Sequence, residues 1–139
     1  MAYQLDHVVV WVADPVRSLD FYRQVLGLEP VRAEEYAAGQ APFISVRLGP
    51  GTILDLTPLT AAPALNAVPG AAGTAGNLLN HICLAMPEAE FEALHERLVT
   101  GGHRTTPYLK DLFGARGNAP RAFYFGDPDG NVFEARYYE

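Results

Sequence analysis

With 139 residues, the chain is long enough for one hydrophobic core and too short for two independent domains. Its 49% hydrophobic and 19% charged residues are those of an ordinary globular protein, its formal charge of −6 argues against a nucleic-acid partner, and no apolar run reaches the ~20 residues of a membrane span. A single cysteine, Cys83, rules out an intramolecular disulfide and fits a reducing compartment; residues 1–12 carry no Lys or Arg to open a secretory leader, so the expected location is cytoplasmic.

Leu5 to Val12, LDHVVVWV, is a β-branched and aromatic run suited to a strand, with His7 inside it. Asp14-Pro15 supplies an N-cap and a first-turn proline; Val16, Leu19, Tyr22, Val25 and Leu26 then recur at helical spacing until Gly27 stops them. Three strand-like runs follow, at residues 31–37, 43–48 and 52–57, the last two joined through Gly49-Pro50-Gly51. The first module, residues 1–57, therefore reads β-α-β-β-β. Residues 58–78 are uncharged and rich in Ala, Pro and Gly, the composition of a semi-flexible linker whose reach allows the modules to pair within one chain or to swap between two.

The second module, residues 79–139, repeats the order. LNHICLA at Leu79–Ala85 is again a strand with a histidine third in its run, and Pro87 opens a helix with Phe91, Leu94 and Leu98 on one stripe before Gly101-Gly102 closes it. Strands are expected at residues 103–108, 121–125 and 132–137, with a glycine-rich loop at 110–120. Asp127-Pro128-Asp129-Gly130 has the residues of a tight reversal, which makes the last two strands a hairpin. The fold class is α+β, built from a duplicated βαβββ module.

His7 and His81 occupy corresponding places in the first strand of each module, and Asp55 and Glu134 in the last. A lone strand histidine is more often a hydrogen-bonded core residue than a ligand. Two imidazoles and two carboxylates at repeated places read differently: a carboxylate in mid-strand is costly to bury without a cation, and this donor set suits Zn, Ni, Co, Mn or Fe(II). With four protein ligands on a metal that takes five or six, positions stay open for water or substrate. No organic cofactor is indicated. His95, near Glu92 and Glu96, and His103, after two glycines, are expected to face solvent, and Cys83 to be a small buried hydrophobe. Trp11, Phe123 and Phe125 are candidates for stacking on a ligand, though a core role is commoner.

The stretches Leu5–Leu28, ILDLTP at Ile53–Pro58, NHICLA at Asn80–Ala85 and FYFGDPDGNVFEARYY at Phe123–Tyr138 resemble the vicinal oxygen chelate superfamily. That superfamily includes glyoxalase I, fosfomycin-resistance thiol transferases, extradiol dioxygenases, methylmalonyl-CoA epimerase and bleomycin-binding proteins. The resemblance implies paired βαβββ modules curved into a cup around one divalent metal, often in a homodimer, with His7, Asp55, His81 and Glu134 at the four ligand positions. It also implies a small-molecule substrate with two vicinal oxygens, and Glu134 or Asp55 as general base for a proton α to a carbonyl. The chain departs from glyoxalase I in having Asp55 where that enzyme usually has Glu, from epimerases that offer Gln there, and from fosfomycin-resistance enzymes in having Val9 where they carry Thr. The reading is a glyoxalase I-like lyase or isomerase; the alternatives are a drug-binding or thiol-transferring resistance protein, and an Fe(II) extradiol-type dioxygenase with Asp55 behind the metal ligands. Arg116 and Arg121 are candidates to clamp an anionic substrate group.

Overall fold

Each half of the sequence folds largely as its apolar pattern directs. The computed structural model describes residues 5–67, 81–114 and 116–139, and the chain divides into two units, Met1–Leu78 and Leu79–Glu139.

In the first unit, β1 (His7–Val12) leads into α1 (Pro15–Gln24), where the Asp14 side chain caps the backbone N–H of Val16 and Pro15 fills a first-turn position that needs no donor. Short β2 (Glu29–Val31), α2 (Ala33–Ala37), β3 (Ile44–Gly49) and β4 (Thr52–Pro58) complete it. The sheet order is β1-β4-β3-β2, with β1 parallel to β4 and the other pairs antiparallel. Because side chains alternate, Val10, Val12, Leu54, Leu56, Ile44 and Val46 share one face and are buried along with Leu19 and Tyr22 of α1. His7, Val9, Asp55, Thr57 and Ser45 share the other.

The second unit runs β5 (Ile82–Ala85), α4 (Glu88–Thr100), β6 (Leu109–Gly114), β7 (Gly117–Gly126) and β8 (Val132–Arg136), in the order β5-β8-β7-β6. First, fourth, third, second is the order of the first unit again, and the parallel and antiparallel pairs recur in place. Phe91, Leu94 and Leu98 of α4 are buried, as are Phe123, Phe125, Phe133 and Tyr137 on one sheet face; Phe91 lies 4.9 Å from Phe123 and 5.0 Å from Tyr137, ring centre to ring centre. The Asp127 carboxylate accepts from the backbone of Asp129 and Asn131 and from the Asn131 amide, and Gly130 adopts φ 85°, which closes the β7–β8 reversal. Two four-stranded mixed sheets with few helices thus realise the expected α+β duplication.

Three local expectations are corrected. Residues 31–37 are not a strand: pairing ends at Val31, Arg32 takes a left-handed φ of 63°, and Ala33–Ala37, all good or tolerated helix formers, coil into α2. The glycine-rich 110–120 segment is not a loop but the β6–β7 hairpin, which runs from the Leu109↔Ala122 pair to Gly114↔Gly117. Residues 103–108 form no strand of their own; one bridge, Thr105↔Phe125, ties them to β7. The linker begins with ordered turns, a 3-10 turn at Leu59–Ala61 and α3 at Ala62–Asn66, while residues 68–80 lie outside the described part. No helix among the described residues is long and apolar enough to cross a membrane.

Candidate functional site

The candidate ligands fall as one histidine and one carboxylate in each unit: His7 and Asp55 in β1 and β4, His81 one residue before β5 and Glu134 in β8. On the first sheet, Val9 pairs with Asp55 and His7 with Ile53, so His7 and Asp55 are diagonal neighbours on one face. Ser45 lies opposite Asp55 on β3, and its hydroxyl donates to Asp55 Oδ1 at 2.7 Å in a buried setting. His7 is exposed at the strand's start, and its Nδ1 meets Asp6 Oδ2 at 2.7 Å. That bond, opposed by partial burial and helped by the charge of Asp55, holds the His7 imidazolium above its ordinary range near 6.5.

On the second sheet Glu134 is opposite Tyr124 on one side and Cys83 on the other. It is 2% exposed, and a cation from its own strand meets it: Arg136, two residues on and on the same face, donates through Nε at 3.1 Å and through Nη2, both to Oε1. Arg136 is itself 4% exposed and is further held by the Leu112 carbonyl and the Tyr138 hydroxyl. Burial works against its charge, but Glu134 and Tyr138 more than offset this, and the guanidinium stays protonated throughout the accessible range. The other carboxylate oxygen, Oε2, lies 3.5 Å from His81 Nε2. Tyr124 stands edge-on to the His81 ring, centre to centre 5.3 Å. Partial burial and then the Glu134 charge push both the Tyr124 phenol and the Cys83 thiol upward.

His81 and Glu134 suit one cation. Two donors bound at ~2.1 Å with tetrahedral or octahedral angles sit roughly 3.0–3.5 Å apart, and the gap between Nε2 and Oε2 falls at the upper end of that range. His7 Nδ1 is held by Asp6, Asp55 Oδ1 by Ser45 and Glu134 Oε1 by Arg136. Such outer partners orient metal ligands, and carboxylate-to-imidazole is the commonest form. Among the described residues no three or more His, Cys, Asp or Glu are gathered into a metal-holding cluster, so the sheets supply pairs.

The model of the Glyoxalase/Bleomycin resistance protein/Dioxygenase superfamily matches residues 4–135. The chain belongs to this superfamily. Solved structures with a similar fold include a virulence protein from Salmonella typhimurium (21% identity, 100% of this chain and 99% of that one, TM-score 0.74). A lactoylglutathione lyase from Agrobacterium tumefaciens (21%, 99% and 95%, 0.71) and the fosfomycin resistance protein FosX from Mesorhizobium loti (20%, 100% and 95%, 0.63) are similar too. At these identities the likeness speaks for the superfamily's fold and not for a reaction. No curated protein matches the chain.

Several secondary candidates change role. Arg121 is not a substrate clamp: it projects on the α4 face of the sheet, bonding Glu88, Glu92 and the Tyr137 hydroxyl. Arg116 stacks 4.4 Å over the Tyr138 ring, and its backbone N–H donates to the Tyr138 hydroxyl. Phe123 and Phe125 are fully buried in the core, and His95, expected in solvent, is half-buried with its ring 4.6 Å from Tyr108 and 4.9 Å from Phe123. Cys83 is exposed, not a buried hydrophobe. Sequence reasoning missed Arg136. Its signal was present: one residue past Ala135 it must share the face of Glu134, and a buried carboxylate needs a cation.

Proposed function

We propose that this chain is a divalent-metal-dependent enzyme of the glyoxalase I-like type, acting on a small oxygenated or dicarbonyl-derived molecule by proton transfer, with His7, Asp55, His81 and Glu134 holding the metal. The observation that carries the reading is the His81–Glu134 pair, an imidazole nitrogen and a carboxylate oxygen spaced as two donors to one ion. When bound, Zn, Ni, Co, Mn or Fe(II) would supply Lewis-acid polarisation of two neighbouring substrate oxygens. Glu134 or Asp55, once released from the metal, would take up and return the substrate proton through the oxygen that Arg136 or Ser45 does not engage. Arg136 keeps the Glu134 carboxylate from rotating, so the same oxygen faces the substrate in each turnover. Four such ligands draw two residues from each unit, within one chain or across a homodimer.

The test is elemental analysis of protein purified without a histidine tag, alongside His7→Ala and His81→Ala. About one transition metal per chain, lost in both variants, supports the site; screening of hemithioacetals, epoxides and catechols then addresses the reaction. Protein that neither carries nor takes up metal ends this reading.

The Arg136–Glu134 bond favours a second one. A buried carboxylate already neutralised by a guanidinium needs no metal, as in a drug-binding resistance protein that sequesters its ligand, and wild-type levels of bound drug in a metal-free preparation would select it.

A further inference from the structure

Segment 104–106 lies alongside the end of β7, and backbone and side-chain bonds fix it there. Gly126 N–H donates to the Arg104 carbonyl at 3.1 Å, Thr106 N–H to the Tyr124 carbonyl at 2.9 Å, and Tyr124 N–H to Thr106 Oγ1 at 2.9 Å. With Thr105 opposite Phe125, alternation puts Arg104 and Thr106 on the sheet face that also carries Tyr124, Val132 and Glu134. These residues enclose an open cleft of about 270 Å³, lined by Arg104, Thr105, Thr106, Tyr124, Phe125, Gly126 and Val132. The lining is mainly apolar. Arg104 is its one charged residue.

The absence of a side chain at Gly126 makes room for the Arg104 guanidinium. A Cβ there would stand 3.0 Å from Nη2 and 3.3 Å from Nε, and Nη2 is 4.0 Å from the corresponding point at Gly130. The guanidinium therefore lies against the start of the β7–β8 turn, and no acidic side chain pairs with it among the described residues. This differs from Arg116, Arg121 and Arg136, each engaged by aromatic or acidic neighbours. Val132 is two residues before Glu134, about 7 Å along a strand. A cation, an apolar floor and the His81–Glu134 pair thus follow one another along a single face.

We propose that this cleft binds a small organic acid: its carboxylate forks onto Arg104, its apolar body covers Val132 and the Tyr124 ring, and its far end reaches Glu134. A planar fork matches a carboxylate through two parallel bonds, which a lysine cannot do. The volume, just under the ~300–1,000 Å³ of drug-sized sites, limits the ligand to a small one. In a chain with formal charge −6, the whole-molecule field repels anions, so an acid held here is held locally. What reacts at the far end rests on the metal-site reading above; the Arg104 anchor does not.

Phenylacetate and its neutral counterpart phenylacetamide are the probes, titrated into ¹⁵N-labelled full-length protein and followed by amide shifts, before and after chelator treatment. Phenylacetate is expected to move the amides of 104–106, 124–126 and 132 saturably, with phenylacetamide at least roughly tenfold weaker, the value of a lost charged hydrogen-bond pair. Arg104→Met is expected to weaken phenylacetate by a similar factor. Gly126→Ala keeps the arginine but pushes its flexible end aside, and is expected to weaken it too, with thermal stability unchanged. Arg104→Lys recovers only part. Equal binding of acid and amide, binding unaffected in Arg104→Met, or no saturable binding by wild-type protein would overturn the proposal. So would binding lost on chelation, which would place the carboxylate on a metal. Phenylacetate binding to protein that never takes up metal would retain the Arg104 site and remove the metal enzyme.

Discussion

At the scale of the residue, the Arg136–Glu134 bond dominates the second sheet. Both groups are nearly buried, and each supplies the other's counterion. Arg136→Met is therefore expected to leave an uncompensated buried carboxylate and to cost about 3–5 kcal/mol by urea unfolding. Arg136→Met with Glu134→Gln should recover most of that loss, whereas a double variant as unstable as the single one would mean that Arg136 contributes by packing alone. The His7–Asp6 bond is different because both partners are largely exposed, 51% and 85% for their side chains. Its imidazolium is favoured in the folded chain, so the contribution to stability is fully present below the ordinary value of about 6.5 and is lost as pH rises through the raised one. Screening keeps it under ~1 kcal/mol. In metal-free protein, Asp6→Asn should bring the NMR-detected His7 titration down toward the ordinary value; an unchanged midpoint would assign the shift to Asp55 instead. Of the site, repeat position and residue type named the four candidate ligands, and the structure places them as one histidine–carboxylate pair in each unit. Arg104 was not legible, because nothing in HRTT signals that Gly126, more than twenty residues later, will leave room for its side chain.

At the scale of the element, the duplication and its order could be read from two histidine-led apolar runs, each followed by a proline and a helical stripe. Boundaries failed where local preference and pairing competed. Ala33-Glu34-Glu35-Tyr36-Ala37 was taken as strand by its place in the module, yet its residues favour helix and the left-handed Arg32 detaches it from β2. Gly114 and Gly117 suggested a loop at 110–120, but glycines are what a tight hairpin between β6 and β7 requires, and Gly117 sits at φ 99°. The β7–β8 turn was recognised because its chemistry is local: one buried aspartate serves two backbone donors and one side chain. Asp127→Ala removes all three bonds at once and is expected to cost roughly 2–3 kcal/mol at ~1 kcal/mol each. Since this turn sets which face of β8 carries Glu134, its loosening should also lower metal uptake. Hydrogen exchange of the β8 amides checks it. Protection equal to wild type would show that the strand pairings, not the turn, hold the register.

At the scale of the whole molecule, what the two units have in common is a histidine and a carboxylate at corresponding places of the sheet: His7 with Asp55, His81 with Glu134. Neither pair alone makes an ordinary site for Zn, Ni or Fe(II), which take three or four protein ligands. A single ion drawing on both pairs has a thermodynamic consequence that two separate weak sites do not. Under the proposed four-ligand site, it would bind only when both repeats are folded and would stabilise them together, by about 2.7 kcal/mol when free metal is a hundredfold above its dissociation constant. Calorimetry with and without added Zn(II) or Ni(II) should show one transition moving upward by several degrees, and the upward shift should vanish equally in His7→Ala, from the first repeat, and in Glu134→Gln, from the second. Should Glu134→Gln abolish the shift while His7→Ala leaves it whole, the second sheet would be binding metal by itself, and the duplicated histidine and carboxylate of the first would need another explanation.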